Sequence, residues 1–217
     1  MHTASLHGRT EVVETLLKRV SAEGLKARDR CGVSPLLDAI KGRHLKVVEV
    51  LIKALSKSFF LEETLLCDYD AIGRLPLDFA AMFGDEKIFV FVLAETAKAQ
   101  SRKSTGEKES ESMFGNLETS NSEKRTLLKR NQHFSRTPLH YAALEGHLSI
   151  IKVIINRFIN TSLEEVEVGR EDSRENQCRP SCVSEISVVD DDGKSPIDLA
   201  RIGKHSHCVD YLSSLLV

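Results

Sequence analysis

Apolar residues recur along this chain in one spacing. Val12, Val13, Leu16, Leu17 and Val20 fall at i, i+1, i+4, i+5 and i+8. Val47, Val48, Leu51, Ile52 and Leu55 repeat the pattern, and so do Ile150, Ile151, Ile154, Ile155 and Phe158. This is the buried stripe of a 3.6-residue helix whose other face is polar. Prolines stand in a second shared setting: Ser34-Pro35-Leu36, Leu75-Pro76-Leu77, Thr137-Pro138-Leu139 and Ser195-Pro196-Ile197. Two residues before each Ser, Leu or Thr comes Gly32, Gly73, Ser135 or Gly193, and three residues before that Asp29, Asp70, Gln132 or Asp190. An aliphatic residue stands four positions earlier still, at Leu25, Leu66, Leu128 and Ile186. The pattern predicts a repeated unit: a tight turn, a short helix opening at Pro, a reversal, then a longer amphipathic helix. Pro suits the first helical position because its missing N–H would be unpaired there anyway. Ser34, Thr137 and Ser195 can cap that helix with a hydroxyl. Leu75 cannot, which predicts a less well capped helix in the third unit.

The segment Arg136-Thr137-Pro138-Leu139-His140-Tyr141-Ala142-Ala143-Leu144-Glu145-Gly146-His147-Leu148 resembles an ankyrin repeat and matches the T-P-L-H-x-A signature of that family. Ser34–Ala39, Leu75–Ala80 and Ser195–Ala200 are degenerate versions, and His2–Arg9 looks like the same motif entered midway. The resemblance implies an all-α solenoid of stacked helix-turn-helix units with short β-turn or hairpin tips. It covers five units: residues 1–24 (partial), 25–65 (with a short insertion), 66–97, 126–159 and 186–217. His2 and His140, at the signature His, are expected to tie neighbouring turns together, and His44, His147 and His205, after the reversal, to be structural.

The units are spaced more widely than the usual period of about 33 residues. Residues 98–125, rich in Ser, Glu and Lys, and residues 160–185, polar and acidic, hold too little apolar surface to offset ordering entropy, which predicts two long disordered insertions. Phe59, Phe60 and Leu61 are expected to pack back on the long helix of the second unit. At the reversal, Gly8, Gly84 and Gly146 occupy the position that favours a positive φ. The second and fifth units have Arg43 and Lys204 there, with Gly42 and Gly203 one residue earlier, so the positive φ is expected to shift to those glycines. Neither end of the chain resembles a polar cap, which points to a longer parent chain with further repeats.

The charges nearly cancel, 30 Lys+Arg against 32 Asp+Glu. That argues against a bulk electrostatic nucleic-acid binder. No apolar run is long enough to cross a bilayer, so direct membrane insertion is not expected. Five scattered cysteines suit a reducing compartment, and the expected location is the cytoplasm, with the nucleus left open. Asp190-Asp191-Asp192-Gly193 lacks the spacing of a calcium loop and fits the turn of its own repeat. Cys178 and Cys182 lack two further converging ligands for zinc. Asn160-Thr161-Ser162 is a glycosylation sequon, inert unless the chain is secreted. Ser104, Ser110, Ser112, Ser120 and Ser122 lie among charges suited to phosphorylation. No phosphate loop, nucleophile elbow or metalloprotease motif is present, so no enzyme, cofactor or metal is expected.

The function implied by the resemblance is a non-enzymatic scaffold or adaptor that binds a protein partner on the concave turn and inner-helix surface. The alternative is the cytosolic ankyrin portion of a larger membrane channel or signalling protein. Carried over unit by unit, the partner-binding candidates are Arg30, Val33, Lys41, Ile72, Arg74, Met82, Phe83, Phe134, Arg136, Leu144 and Glu145. Ile72, Met82, Phe83 and Phe134 are apolar where exposure is expected, with Arg74 and Arg136 beside them, a composition typical of interface hot spots.

Overall fold

A computed structural model describes residues 1–57, 65, 69–105, 122–131, 133–167 and 186–216. Its helices come in pairs. The inner helices are α1 (His2–Leu6), α4 (Pro35–Lys41), α6 (Pro76–Phe83), α8 (Pro138–Leu144) and α10 (Pro196–Ile202). Their outer partners are α2 (Thr10–Leu17), α5 (Leu45–Lys57), α7 (Glu86–Thr105), α9 (Leu148–Glu167) and α11 (Ser206–Ser214), with a short α3 (Ala22–Leu25) between the first two pairs. Inner helices contact inner, and outer contact outer, in chain order. No strand occurs among the described residues. One core runs through the stack because each apolar stripe faces the neighbouring pair. The stripes of α5 and α9 are fully buried, whereas Val12 on α2 is 45 % exposed.

The prolines open the inner helices as expected. Ser34 Oγ accepts the Leu37 N–H, and Ser195 Oγ accepts the Asp198 N–H. Leu75 offers no acceptor, but its own N–H donates to Asp78 Oδ2 at 2.9 Å, so the third unit keeps half of a capping box. Thr137 departs from expectation. Its Oγ1 lies 2.8 Å from His140 Nδ1 and makes no cap bond to the backbone.

Three expectations are corrected. The first concerns the reversal. Arg43 and Lys204 themselves adopt positive φ, 58° and 60°, while Gly42 and Gly203 stay helical at −73° and −70°. The turn register is set by the hydrogen bonds that close the helix, His44 N–H to Ala39 and His205 N–H to Ala200, and a glycine one residue earlier does not move it. Gly42 and Gly203 are small for another reason: a Cβ there would meet the carbonyls of Leu6 and Leu144 at 2.3 and 2.4 Å.

The second concerns the fourth tip. Asn131, and not Gln132, takes the part played by aspartate elsewhere: its Oδ1 accepts the N–H of Phe134 and Arg136. This turn is one residue longer than that of Asp70, which accepts from Ile72 and Arg74. Accordingly Leu127, one residue earlier than expected, is the fully buried aliphatic.

The third concerns the insertions. Helix α7 runs on to Thr105, and residues 122–127 are helical, with Thr126 Oγ1 donating to Gln100 Oε1 at 2.7 Å. Helix α9 likewise runs to Glu167. The edges of both expected disordered stretches are therefore helical. Residues 106–121 and 168–185 lie outside the described residues, with Ser110, Ser112, Ser120, Cys178 and Cys182. So do Phe59, Phe60, Leu61 and Gln132. Ser122 is described and is buried.

Candidate functional site

The tips of neighbouring units are joined through the backbone. Ala71 N–H donates to Cys31 O, and Asp191 N–H donates to Phe134 O, each at 3.1 Å. The first bond ties the second and third tips above α4 and α6. Beneath it lies a cleft of about 550 Å³ lined by Arg30, Cys31, Val33, Lys41, Asp70, Ala71, Ile72, Arg74, Phe79, Met82 and Phe83. The fold thus gathers Arg30, Val33, Lys41, Ile72, Arg74, Met82 and Phe83 into one place. The remaining candidates, Phe134, Arg136, Leu144 and Glu145, stand on the fourth unit.

The candidates differ in how far they are free. Ile72 and Phe134 are 44 % and 38 % exposed. Val33, Met82 and Phe83 are half-buried with one side against the core. Arg74 is held: Nε and Nη2 donate to Asp70 Oδ2 at 2.8 and 2.5 Å, and its guanidinium lies 4.7 Å over the Phe79 ring. Arg136 is held across units, with Nε donating to Asp190 at 2.9 Å, Nη2 3.7 Å from Asp192, and its guanidinium 5.1 Å over the Phe134 ring. Burial pushes the Asp190 carboxyl up, but the Lys194 N–H and the Arg136 guanidinium outweigh it and hold its pKa below the ordinary value. Arg30 and Lys41, by contrast, are exposed and make no ion pair among the described residues.

The histidines serve the stack. His2 Nε2 reaches Ala27 O of the next turn at 3.1 Å. His44 Nε2 reaches Leu6 O at 3.1 Å and His147 Nε2 reaches Met82 O at 2.8 Å, each crossing to the preceding pair. The rings of His44, His147 and His205 sit against Gly8, Gly84 and Gly146, where a Cβ would come within 2.5, 2.3 and 2.4 Å of them. His140 is fully buried. Thr137 N–H and Oγ1 both face its Nδ1, which places the ring proton on Nε2. That Nε2 makes no close, well-aligned hydrogen bond among the described residues, although the ring interacts with the backbone carbonyls of Val188 and Lys194 in the fifth unit.

Asp70 and Phe79 line the cleft without having been recognised as candidates. Asp70 was visible as the tip acid. Phe79 occupies the variable signature position, where other units have Asp38, Tyr141 and Leu199, and nothing in the sequence marks it as facing the cleft. A second concavity, about 540 Å³, lies on the outer helices α5 and α7 around Leu45, Val90 and Phe91. No group of His, Cys, Asp or Glu able to hold a metal ion occurs among the described residues.

Residues 1–103 match the family described as "Ankyrin repeats (3 copies)", and residues 135–163 match the family described as "Ankyrin repeat". The E3 ubiquitin-protein ligase XBAT33 of Arabidopsis thaliana is 26% identical over 166 residues, covering 75% of this chain and 29% of the ligase. The chain thus spans less than a third of that relative's length.

Proposed function

The chain belongs to the ankyrin-repeat family, and on that premise we propose that it is a non-enzymatic interaction module that binds a protein partner on its tips and inner helices. The observation that carries this reading is the cleft between the second and third pairs. Stacking consumes the apolar stripes of the outer helices but leaves Ile72 exposed and Val33, Met82 and Phe83 half-covered beside two unpaired cations. Apolar anchors in a concave, partly desolvated setting concentrate binding energy. The proposed partner is a protein and not nucleic acid, since acidic and basic residues nearly cancel to a net charge of −2. No described helix is long and apolar enough to cross a membrane. The cytoplasm, or the nucleus, is the proposed place of action.

The test is affinity capture from lysate with the intact chain, an Ile72→Asp variant, and a Val12→Asp control on α2. A protein retained by the control and lost with Ile72→Asp supports the reading. Identical capture by all three baits rejects this face. One finding favours a second reading, a recognition portion working beside other domains: the ligase relative is far longer than the segment it shares with this chain. Under it the purified chain transfers no ubiquitin in a reconstituted assay, and robust transfer by the chain alone would sink both readings.

A further inference from the structure

The floor and the rim of the cleft carry different chemistry, and together they specify an occupant. The floor is apolar, made by Val33, Ile72, Phe79, Met82 and Phe83. The one carboxylate there, Asp70, is already compensated: its Oδ1 accepts two backbone N–H groups and its Oδ2 accepts Arg74. Arg30 and Lys41 line the same cleft, are exposed, and have no ion-pair partner among the described residues. The nearby Asp29 feels the charge of Lys41 but forms no ion pair with it, since its Oδ1 is turned to its own tip and accepts the N–H groups of Cys31 and Val33. The equivalent place between the fourth and fifth tips shows the contrast, since Arg136 is matched there by Asp190 and Asp192. A partner that covers unpaired cations without supplying charge leaves them desolvated and uncompensated.

We propose that this cleft takes a peptide segment of the partner protein that inserts one large apolar side chain and sets carboxylates beside it, against Arg30 and Lys41. The inference rests on the partner-binding reading above and adds the chemistry of the partner. A nucleic acid would call for a longer run of phosphate-binding cations than these two.

The test is selection of random dodecapeptides displayed on phage against the immobilised full chain, an Arg30→Glu, Lys41→Glu double variant, and Ile72→Asp. All three positions are exposed, so each variant is expected to fold. The intact chain is expected to enrich peptides with a large apolar residue flanked by Asp or Glu. The double variant is expected to bind those peptides about 10-fold more weakly and to enrich Lys and Arg flanks instead. Ile72→Asp is expected to enrich neither. Peptides lost with Ile72→Asp but lacking acidic flanks would overturn the charge inference and leave the binding cleft standing. Peptides shared equally by the intact chain and Ile72→Asp would overturn both. Enrichment of no peptide, or binding only to phosphatidylserine vesicles, would overturn the proposal.

Discussion

At the third residue of its inner helix the third pair carries Asp78 and the fourth carries His140, and both side chains are buried. Each receives an N–H from the residue that caps its helix, Leu75 in one case and Thr137 in the other. Burial pushes the Asp78 carboxyl up to about 7 and the His140 imidazole down to about 4. An acid and a base are thereby driven toward the same neutral state, because the site excludes water and penalises either charge. The pairs differ a second time at the reversal. The fourth pair places His147 against Gly84 of its predecessor and so demands a residue without a Cβ. The third pair has Asp85 at that place, and its predecessor carries Arg43 with the same backbone conformation. Positive φ alone therefore does not require glycine in this stack; the covering histidine does.

The largest effect is expected at that histidine contact. Gly84→Ala combines a strained φ of 74° with displacement of His147 from Met82 O, and is expected to cost about 3 kcal/mol in urea unfolding. Arg43→Gly, at the uncovered counterpart, is expected to change stability by less than about 1 kcal/mol. Equal effects would show that the histidine is irrelevant.

The second effect is a pair of opposite pH slopes. Asp78 keeps its proton in the fold up to about 7 but loses it near 3.8 when unfolded, so the stability it contributes is lost as pH rises through that window. His140 stays neutral in the fold down to about 4 but gains a proton near 6.5 when unfolded, so its contribution is lost as pH falls. Between pH 4 and 6.5 the two oppose each other. Relative to the native chain, Asp78→Asn is expected to grow more stable with rising pH, and His140→Asn less stable, each by on the order of 2 kcal/mol across its window. Denaturation curves at several pH values check this, and parallel profiles would refute it.

Smaller effects distinguish the tips. Asp70→Asn leaves the Arg74 guanidinium without its ion pair and is expected to cost roughly 1 to 2 kcal/mol, with a lower thermal midpoint. Ser135, at the longer fourth tip, holds φ at 51°, and Ser135→Gly is expected to stabilise by up to about 1 kcal/mol. A loss of stability there would mean that Ser135 makes a compensating interaction.

Much of this architecture was legible in the residues. The apolar spacing announced the outer helices, and the Ser/Thr-Pro steps announced the inner ones, because both depend on local geometry. Those steps also placed Arg30, Lys41, Ile72 and Phe83 at tips and inner-helix exits. Other features were not legible. The register at Arg43 and Asn131 is fixed by hydrogen bonds closed in three dimensions, and composition could not show where α7 and α9 would stop. Nor could it show that Arg74 and Arg136 are tied to Asp70 and Asp190.

By itself, then, the sequence determined the repeated helix pairs, their order and their buried stripes, since these follow from the 3.6-residue period and from what proline and capping hydroxyls allow. Only the tertiary structure decided which polar groups spend their charge on one another. Arg136 meets Asp190 across a gap of 54 positions, while Arg30 and Lys41 form no ion pair among the described residues. Ion pairing depends on distance in space, and that distance exists only once the units are stacked.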